Sequence, residues 1–141
     1  MGTISENFSF SEFEKSDTAK KRGIINVIST AKVRDSIVEL VNTVLQPLRT
    51  AVGVPMPVNS GYRCPELNAA VGGVPTSQHM KGEAADIATS APVLLARKAV
   101  ELGLPFDQIG LYPTFVHFSH KLGGPQRGQI FYSKNYKGER L

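Results

Sequence analysis

Apolar residues recur at intervals of three and four between Ser29 and Thr50, which is the spacing of an amphipathic helix. Pro47 lacks the amide hydrogen that the preceding turn needs, so we expect a kink or the end of regular helix near it. Gly53 would then close the segment. The apolar positions that carry this prediction are Val33, Ile37, Leu40, Val41, Val44, Leu45 and Leu48.

The pattern changes after this helix, because short β-like runs alternate with turns rich in Gly, Pro and Ser. A second helix is predicted from Pro92 to Leu102, with Pro at an early helical position and Gly103 at the end. Helices beside a small, mainly antiparallel sheet make an α+β fold. The predicted strands are Pro57–Asn59, Ala85–Ala88, Gln108–Tyr112, Phe115–His120 and Gln129–Ser133.

The first 28 residues or so are predicted to form an N-terminal arm that docks on the rest of the chain. Phe8, Phe10 and Phe13 are its apolar anchors, and Ser9 precedes Glu12 by three residues, the spacing of a capping box. A brief helix should therefore begin here. The total of 141 residues suits one domain over 1–141.

Composition narrows the function classes only slightly. The formal charge is +4, but the 16 Lys and Arg residues are scattered, which disfavours a nucleic-acid partner and equally suits an anionic polymer such as a bacterial cell wall. Cys64 is the single cysteine, so an internal disulfide is excluded. No apolar run is long enough to cross a bilayer, and the N-terminus has no apolar segment of the signal-peptide type. We therefore expect synthesis in the cytoplasm, a monomer, and no membrane insertion.

Candidate chemistry begins with His79, in a turn-rich loop, and Asp86, seven residues later within the apolar run ADIA. A carboxylate on an interior strand needs a partner, because burying an unpaired charge is costly. That partner could be a cation, an arginine or a turn that the aspartate caps. Gly82 and the alanines at 84 and 85 leave room for ligands to approach.

A third donor could come from His117 in the run FVHFSH. Strand alternation places Phe115, His117 and Ser119 on one face, and Val116, Phe118 and His120 on the other. Two imidazoles and one carboxylate suit zinc with a fourth position open to water. Such a site supports amide hydrolysis, because it activates water and polarises a carbonyl.

The pattern Ser77-x-His79-x-x-Gly82-x-Ala84-x-Asp86, together with VNSGYRCPELNAAVGG at 58–73, resembles the zinc D-alanyl-D-alanine carboxypeptidases and phage L-alanyl-D-glutamate endopeptidases, whose fold is hedgehog-like. This resemblance implies Zn²⁺ bound by His79, Asp86 and His117. It also implies that Arg63 binds substrate and stabilises charge on the scissile carbonyl. Ser77 would hydrogen-bond a ligand or substrate, or cap a turn.

The sequence departs from the family at one position, because many relatives carry a glutamate a few residues before the last histidine, as general base. Residues 111–116 contain no acid. The alternatives are His120, which we favour, Asp107 and Glu83. Cys64 precedes a proline and is expected to be a buried, inert thiol rather than a nucleophile.

These residues predict a zinc metallopeptidase that hydrolyses peptidoglycan stem peptides at bonds involving D-amino acids. Carboxypeptidase and endopeptidase activities stay open, and a phage endolysin that acts on the cell wall after release or export would suit the expected lack of a signal segment. The alternative is a non-catalytic, zinc-stabilised module that binds peptidoglycan or belongs to a phage particle, which the missing glutamate would favour.

Overall fold

The computed structural model describes residues 2–141, and Met1 lies outside the described residues. Most of the helices precede the main sheet along the chain, as predicted, and the structure adds a short N-terminal strand pair and two short helices, at Asp17–Arg22 and Pro65–Ala70, that were not predicted. The helices are α1 Phe10–Glu14, α2 Asp17–Arg22, α3 Ala31–Leu40, α4 Gln46–Val52, α5 Pro65–Ala70 and α6 Pro92–Glu101. The strands are β1 Thr3–Ser5, β2 Phe8–Ser9, β3 Val58–Ser60, β4 Ala84–Ala88, β5 Gln108–Leu111, β6 Phe115–Ser119 and β7 Gln129–Tyr132.

The long predicted helix is present as α3 and α4, joined without a break by a π-helical segment, Val41–Leu45. Thr30 caps its start, because its hydroxyl accepts a hydrogen bond from the Val33 amide. The π-helical segment ends two residues before Pro47, which lacks the amide donor that a regular turn would use there. The helix ends at Gly53, whose φ of 70° is the left-handed conformation typical of this position.

The main sheet has five strands in the order β3-β4-β6-β5-β7. Its pairs are antiparallel except for β5 and β7, which run parallel. A two-stranded sheet of β1 and β2 completes the β structure. The prediction of an α+β fold with a small, mainly antiparallel sheet is therefore confirmed.

The two faces of the main sheet have different roles. On one face the rows Ala85–Phe118–Ile109 and Ile87–Val116–Leu111 are fully buried in the hydrophobic core, together with the inner faces of the long helix and α6. On the other face, the row between them brings polar and aromatic residues side by side across five strands. That row consists of Ser60, Asp86, His117, Gly110 and Phe131.

The N-terminal arm packs against the segment that follows β3. Ser9 and Glu12 form the predicted capping box at α1, and Phe13 is fully buried. The Tyr62 amide donates to the Phe13 carbonyl over 2.7 Å, and a side chain at Gly61 would collide with Phe13. The arm thus fixes residues 61–63, which form one wall of the site described below. Within residues 2–141, every helix is too short or too polar to span a lipid bilayer.

Candidate metal centre

His79 lies in a short 3₁₀ turn, Gln78–Lys81, that leads into β4. The Ser77 hydroxyl caps the turn by accepting a hydrogen bond from the His79 amide over 3.1 Å. Gly82 ends it with a φ of 75°, and a Cβ there would lie 2.6 Å from the Val33 carbonyl oxygen. Only glycine satisfies both the left-handed backbone and the close approach to the long helix. These contacts explain the Ser, His and Gly positions of the sequence pattern.

The His79 imidazole is held in one orientation. Its Nδ1 lies 2.7 Å from the Gly61 carbonyl oxygen, which only accepts hydrogen bonds, so Nδ1 carries the proton. The other nitrogen, Nε2, faces Asp86, with 3.5 Å between Nε2 and Oδ1, and is the ring atom left to bind a metal. A backbone carbonyl that fixes the tautomer of a histidine in this way is typical of metal ligands.

Asp86 and His117 are partners across the β4–β6 ladder, so their side chains leave the same face of the sheet. His117 Nδ1 lies 2.9 Å from Asp86 Oδ1. One donor atom from each of His79, Asp86 and His117 lies within 4.8 Å of the other two. Zinc binds nitrogen and oxygen at about 2.0–2.2 Å, so donors at these separations can surround a single ion. The three residues predicted as ligands are therefore brought together, and the His-Asp-His set fits Zn²⁺.

The electrostatic environment of Asp86 favours the charged form that a metal requires. Burial alone would raise the pKa of the Asp86 carboxyl, but hydrogen bonds and favourable charge interactions with His117 and His79 outweigh it and hold this pKa well below its ordinary value. Asp86 is 8% exposed and His79 is 4% exposed, so a cation here would be largely shielded from solvent.

Arg63 lies beside this cluster and is oriented by its own motif. Its Nε donates to the Ser60 hydroxyl over 3.3 Å, and its Nη1 donates to the Asn68 side-chain oxygen over 3.0 Å. Gly73 packs against both Asn68 and Arg63, where a Cβ would find no space. Burial lowers the pKa of the Arg63 guanidinium, and the charges of Asp86 and Tyr112 oppose that change. The second sequence motif therefore positions a guanidinium within electrostatic reach of the cluster.

The residues predicted as general base lie elsewhere. His120 follows the end of β6 and turns away from the cluster: its Nδ1 lies 2.6 Å from the Pro105 carbonyl oxygen and its Nε2 lies 2.7 Å from Glu39 Oε2. Both ring nitrogens are thus engaged on the core side, as regular strand alternation requires, and we do not retain His120 as the base.

Asp107 and Glu83 are also engaged away from the cluster. Asp107 is fully buried and binds Arg127 through two side-chain nitrogens and the backbone amide. Glu83 accepts from Gln78 Nε2 and the Leu122 amide. Neither is retained as the base. Cys64 is half-buried rather than buried, which corrects the expectation for this thiol, and it does not belong to the His-Asp-His cluster.

An aromatic group that the sequence analysis did not single out borders His117. Phe131 packs directly over Gly110, and its ring centre lies 6.1 Å from that of His117. Tyr112 stacks on Phe115 at 4.3 Å between ring centres. Burial raises the pKa of the Tyr112 hydroxyl, the charge of Asp86 raises it further and Arg63 lowers it, so the phenol lies near both charges. The alternation of β5 and β7 could have placed Phe131 on this face, but their parallel pairing was not predicted.

Two comparisons with known proteins bear on what this chain is similar to. Residues 6–119 match a family model described as Peptidase M15. The chain is also 30% identical over 124 residues to the zinc D-Ala-D-Ala carboxypeptidase of Streptomyces albus G. That match covers 86% of this chain and 47% of the relative, so the chain spans about half the length of the curated relative that it matches.

Proposed function

Because this chain belongs to the M15 peptidase family, we propose that it is a zinc metallopeptidase that hydrolyses peptidoglycan stem peptides at bonds involving D-amino acids. The observation that carries the proposal is the convergence of His79, Asp86 and His117 beside the guanidinium of Arg63. The name of the Streptomyces relative, a D-Ala-D-Ala carboxypeptidase, supports the substrate class. An endolysin-type endopeptidase has the same chemistry, and either enzyme would act on the cell wall after release or export.

We assign the metal-binding role to three side chains. His79 Nε2, Asp86 Oδ1 and His117 Nδ1 would hold Zn²⁺, which when bound supplies a Lewis acid that activates water and polarises a carbonyl. The Gly61 carbonyl keeps the proton on His79 Nδ1, so that Nε2 is always the donor to the metal.

Arg63 and Tyr112 are the two hydrogen-bond donors that we assign to the substrate. Both lie within electrostatic reach of Asp86 and of each other. A guanidinium and a phenol can donate to the oxygen on which negative charge develops during amide hydrolysis, and prepositioned donors of this kind contribute strongly to catalysis. Ser60 and Asn68 hold the Arg63 guanidinium, and the Phe115 ring supports Tyr112.

A second function is favoured by one observation, the position of the three residues predicted as general base. His120, Asp107 and Glu83 are all engaged away from the metal cluster. The alternative is a non-catalytic module that binds peptidoglycan and keeps zinc for stability. In that role the cluster would cross-link β4, β6 and the 3₁₀ turn.

The two functions are separated by incubating the zinc-loaded protein with purified peptidoglycan and with synthetic peptides. The set contains a D-Ala-D-Ala terminus, an L-Ala-D-Glu bond and all-L counterparts. A peptidase should release D-alanine from the first or create new amino termini in the second, and should leave the all-L peptides intact. Binding to peptidoglycan without cleavage at any pH would reject the enzyme and support the module.

A further inference from the structure

A cavity of about 370 Å³ opens beside the metal cluster, with His117 and Phe131 among the residues that line it. This volume lies at the small end of the range for ligand pockets. Ser77, Gln78 and Gln108 contribute polar side chains to its wall. The wall contains no carboxylate, and Arg127 is its permanently charged residue.

The Arg127 guanidinium is held rigidly along one edge. Its Nε lies 3.1 and 3.2 Å from the two oxygens of Asp107, and its Nη2 lies 2.6 Å from Oδ2. The Arg127 amide donates to Oδ1 over 2.8 Å. Asp107 is fully buried and the Arg127 side chain is 42% exposed, so the carboxylate holds the guanidinium from the interior of the protein. Its Nη1 takes no part in the pair with Asp107.

Two cations lie near Asp107, because Lys121 Nζ is also 3.8 Å from Asp107 Oδ1. Glu83 is a second carboxylate nearby, since Gln78 Nε2 donates to both Glu83 and Asp107. Arg127 is the charged residue that lines the cavity itself. A guanidinium that is already held by one carboxylate and lines a pocket can recognise a second carboxylate well, because little side-chain freedom is lost on binding.

From this arrangement we propose that Arg127 forms a subsite for a free carboxylate of the peptide, carried next to the scissile bond. The inference rests on the proposed function and names its substrate more closely. The carboxylate could be the C-terminal group of a D-Ala-D-Ala terminus or the α-carboxylate of D-glutamate after L-alanine. In both cases Arg63 acts on the scissile carbonyl, whereas Arg127 binds the free carboxylate next to it.

The test uses two pairs of peptides, one for each source, in which the members of a pair differ only by a carboxylate or a carboxamide. We expect the wild-type zinc-loaded protein to prefer the carboxylate member of one pair by roughly tenfold to hundredfold in kcat/KM, mainly through KM. R127Q should lose this preference, so that its kcat/KM values for the two members of the pair become nearly equal. The matched control is R97Q, because Arg97 also pairs with a carboxylate, that of Glu139, at a distant and similarly exposed position.

Calorimetric binding of the same peptides keeps the inference separate from the proposed function. If the wild type cleaves both members of each pair equally well, the subsite is rejected and the peptidase stands. If it cleaves none but binds a carboxylate peptide more tightly in a manner that requires Arg127, the subsite stands and the peptidase is rejected. If R127Q loses kcat/KM equally on both members of a pair, Arg127 only supports the fold and the subsite is rejected.

R127K serves if R127Q does not fold, because it keeps the charge but loses the planar fork. It should show a smaller preference for the carboxylate peptide than the wild type, and an unchanged preference would overturn the proposal.

Discussion

Asp86 and His117 are paired residues of neighbouring antiparallel strands, and their side chains meet with 2.9 Å between Oδ1 and Nδ1. Two of the three candidate ligands are thus set by the register of one ladder. The third, His79, comes from a turn whose geometry depends on Gly61 and Gly82. The metal centre is therefore supported by regular sheet on one side and by a glycine-dependent loop on the other.

Replacing His79 by alanine should abolish stoichiometric zinc binding, because only two donors would remain and a structural or catalytic zinc site needs at least three protein ligands. Metal analysis after dialysis against a weak chelator provides the measurement. H120N is the matched control, since His120 lies beside Glu39 and away from the cluster. Zinc retained in H79A, or lost in H120N despite a folded chain, would contradict the ligand assignment.

Arg63→Lys should lower kcat by roughly 10²-fold to 10³-fold and leave the zinc content unchanged, because the ammonium group loses the fork that Ser60 and Asn68 orient. Steady-state kinetics on the cleaved peptide and metal analysis are measured on the same preparation. Arg97→Lys should behave as the wild type. A change in KM alone would assign Arg63 to substrate binding rather than to the charge on the carbonyl.

Tyr112→Phe should reduce kcat by roughly 10²-fold while the stability of the fold is preserved, because it removes the hydroxyl but keeps the ring stacked on Phe115. Tyr132→Phe, on β7, removes a hydroxyl that accepts a hydrogen bond from the Leu141 amide and serves as control. Unaltered kcat in Y112F would exclude the phenol as a donor in the reaction.

Gly82→Ala should destabilise the protein more than Gly103→Ala does. Both positions have positive φ, which costs an alanine about 1–2 kcal/mol. A Cβ at Gly82 also meets the Val33 carbonyl oxygen at 2.6 Å, whereas one at Gly103 meets nothing within 4 Å. In urea unfolding, we expect the free energy of unfolding to fall by roughly 3 kcal/mol or more in G82A and by about 1 kcal/mol in G103A. Equal losses would show that the turn moves away from the long helix without cost.

The stability of the protein should depend on pH through Asp107. Burial alone would raise the pKa of this carboxyl, but hydrogen bonds from Arg127 and Gln78 and the charge of Arg127 lower it from 3.8 to about 2. A depressed native pKa stabilises the fold above the unfolded pKa, and this contribution is lost as the pH falls from about 4 to about 2. The free energy of unfolding, measured in urea across this range, should therefore fall more steeply with falling pH for the wild type than for D107N. The same pH dependence in both proteins would contradict the prediction.

The sequence was informative where a local pattern determines structure. The spacing of Val33, Ile37 and Leu40 predicted the long helix, and the alternation around His117 predicted which strand face carries the metal ligands. The same alternation already placed His120 on the opposite face, and β6 pairs with both of its neighbours without the register shift that would return it. The pairing of Arg127 with Asp107 joins residues 20 positions apart. It depends on the path of residues 121–128 back to β7, which no local pattern specifies.

Gly110 shows how an absent side chain can define a binding site. It stands between His117 and Phe131 in the row across the sheet, and the phenylalanine ring occupies the space that a Cβ would fill. An alanine at position 110 would force the Phe131 ring out of this place, and Phe131 and His117 both line the cavity beside the cluster. The absence of a side chain at position 110 therefore determines where one wall of that cavity stands.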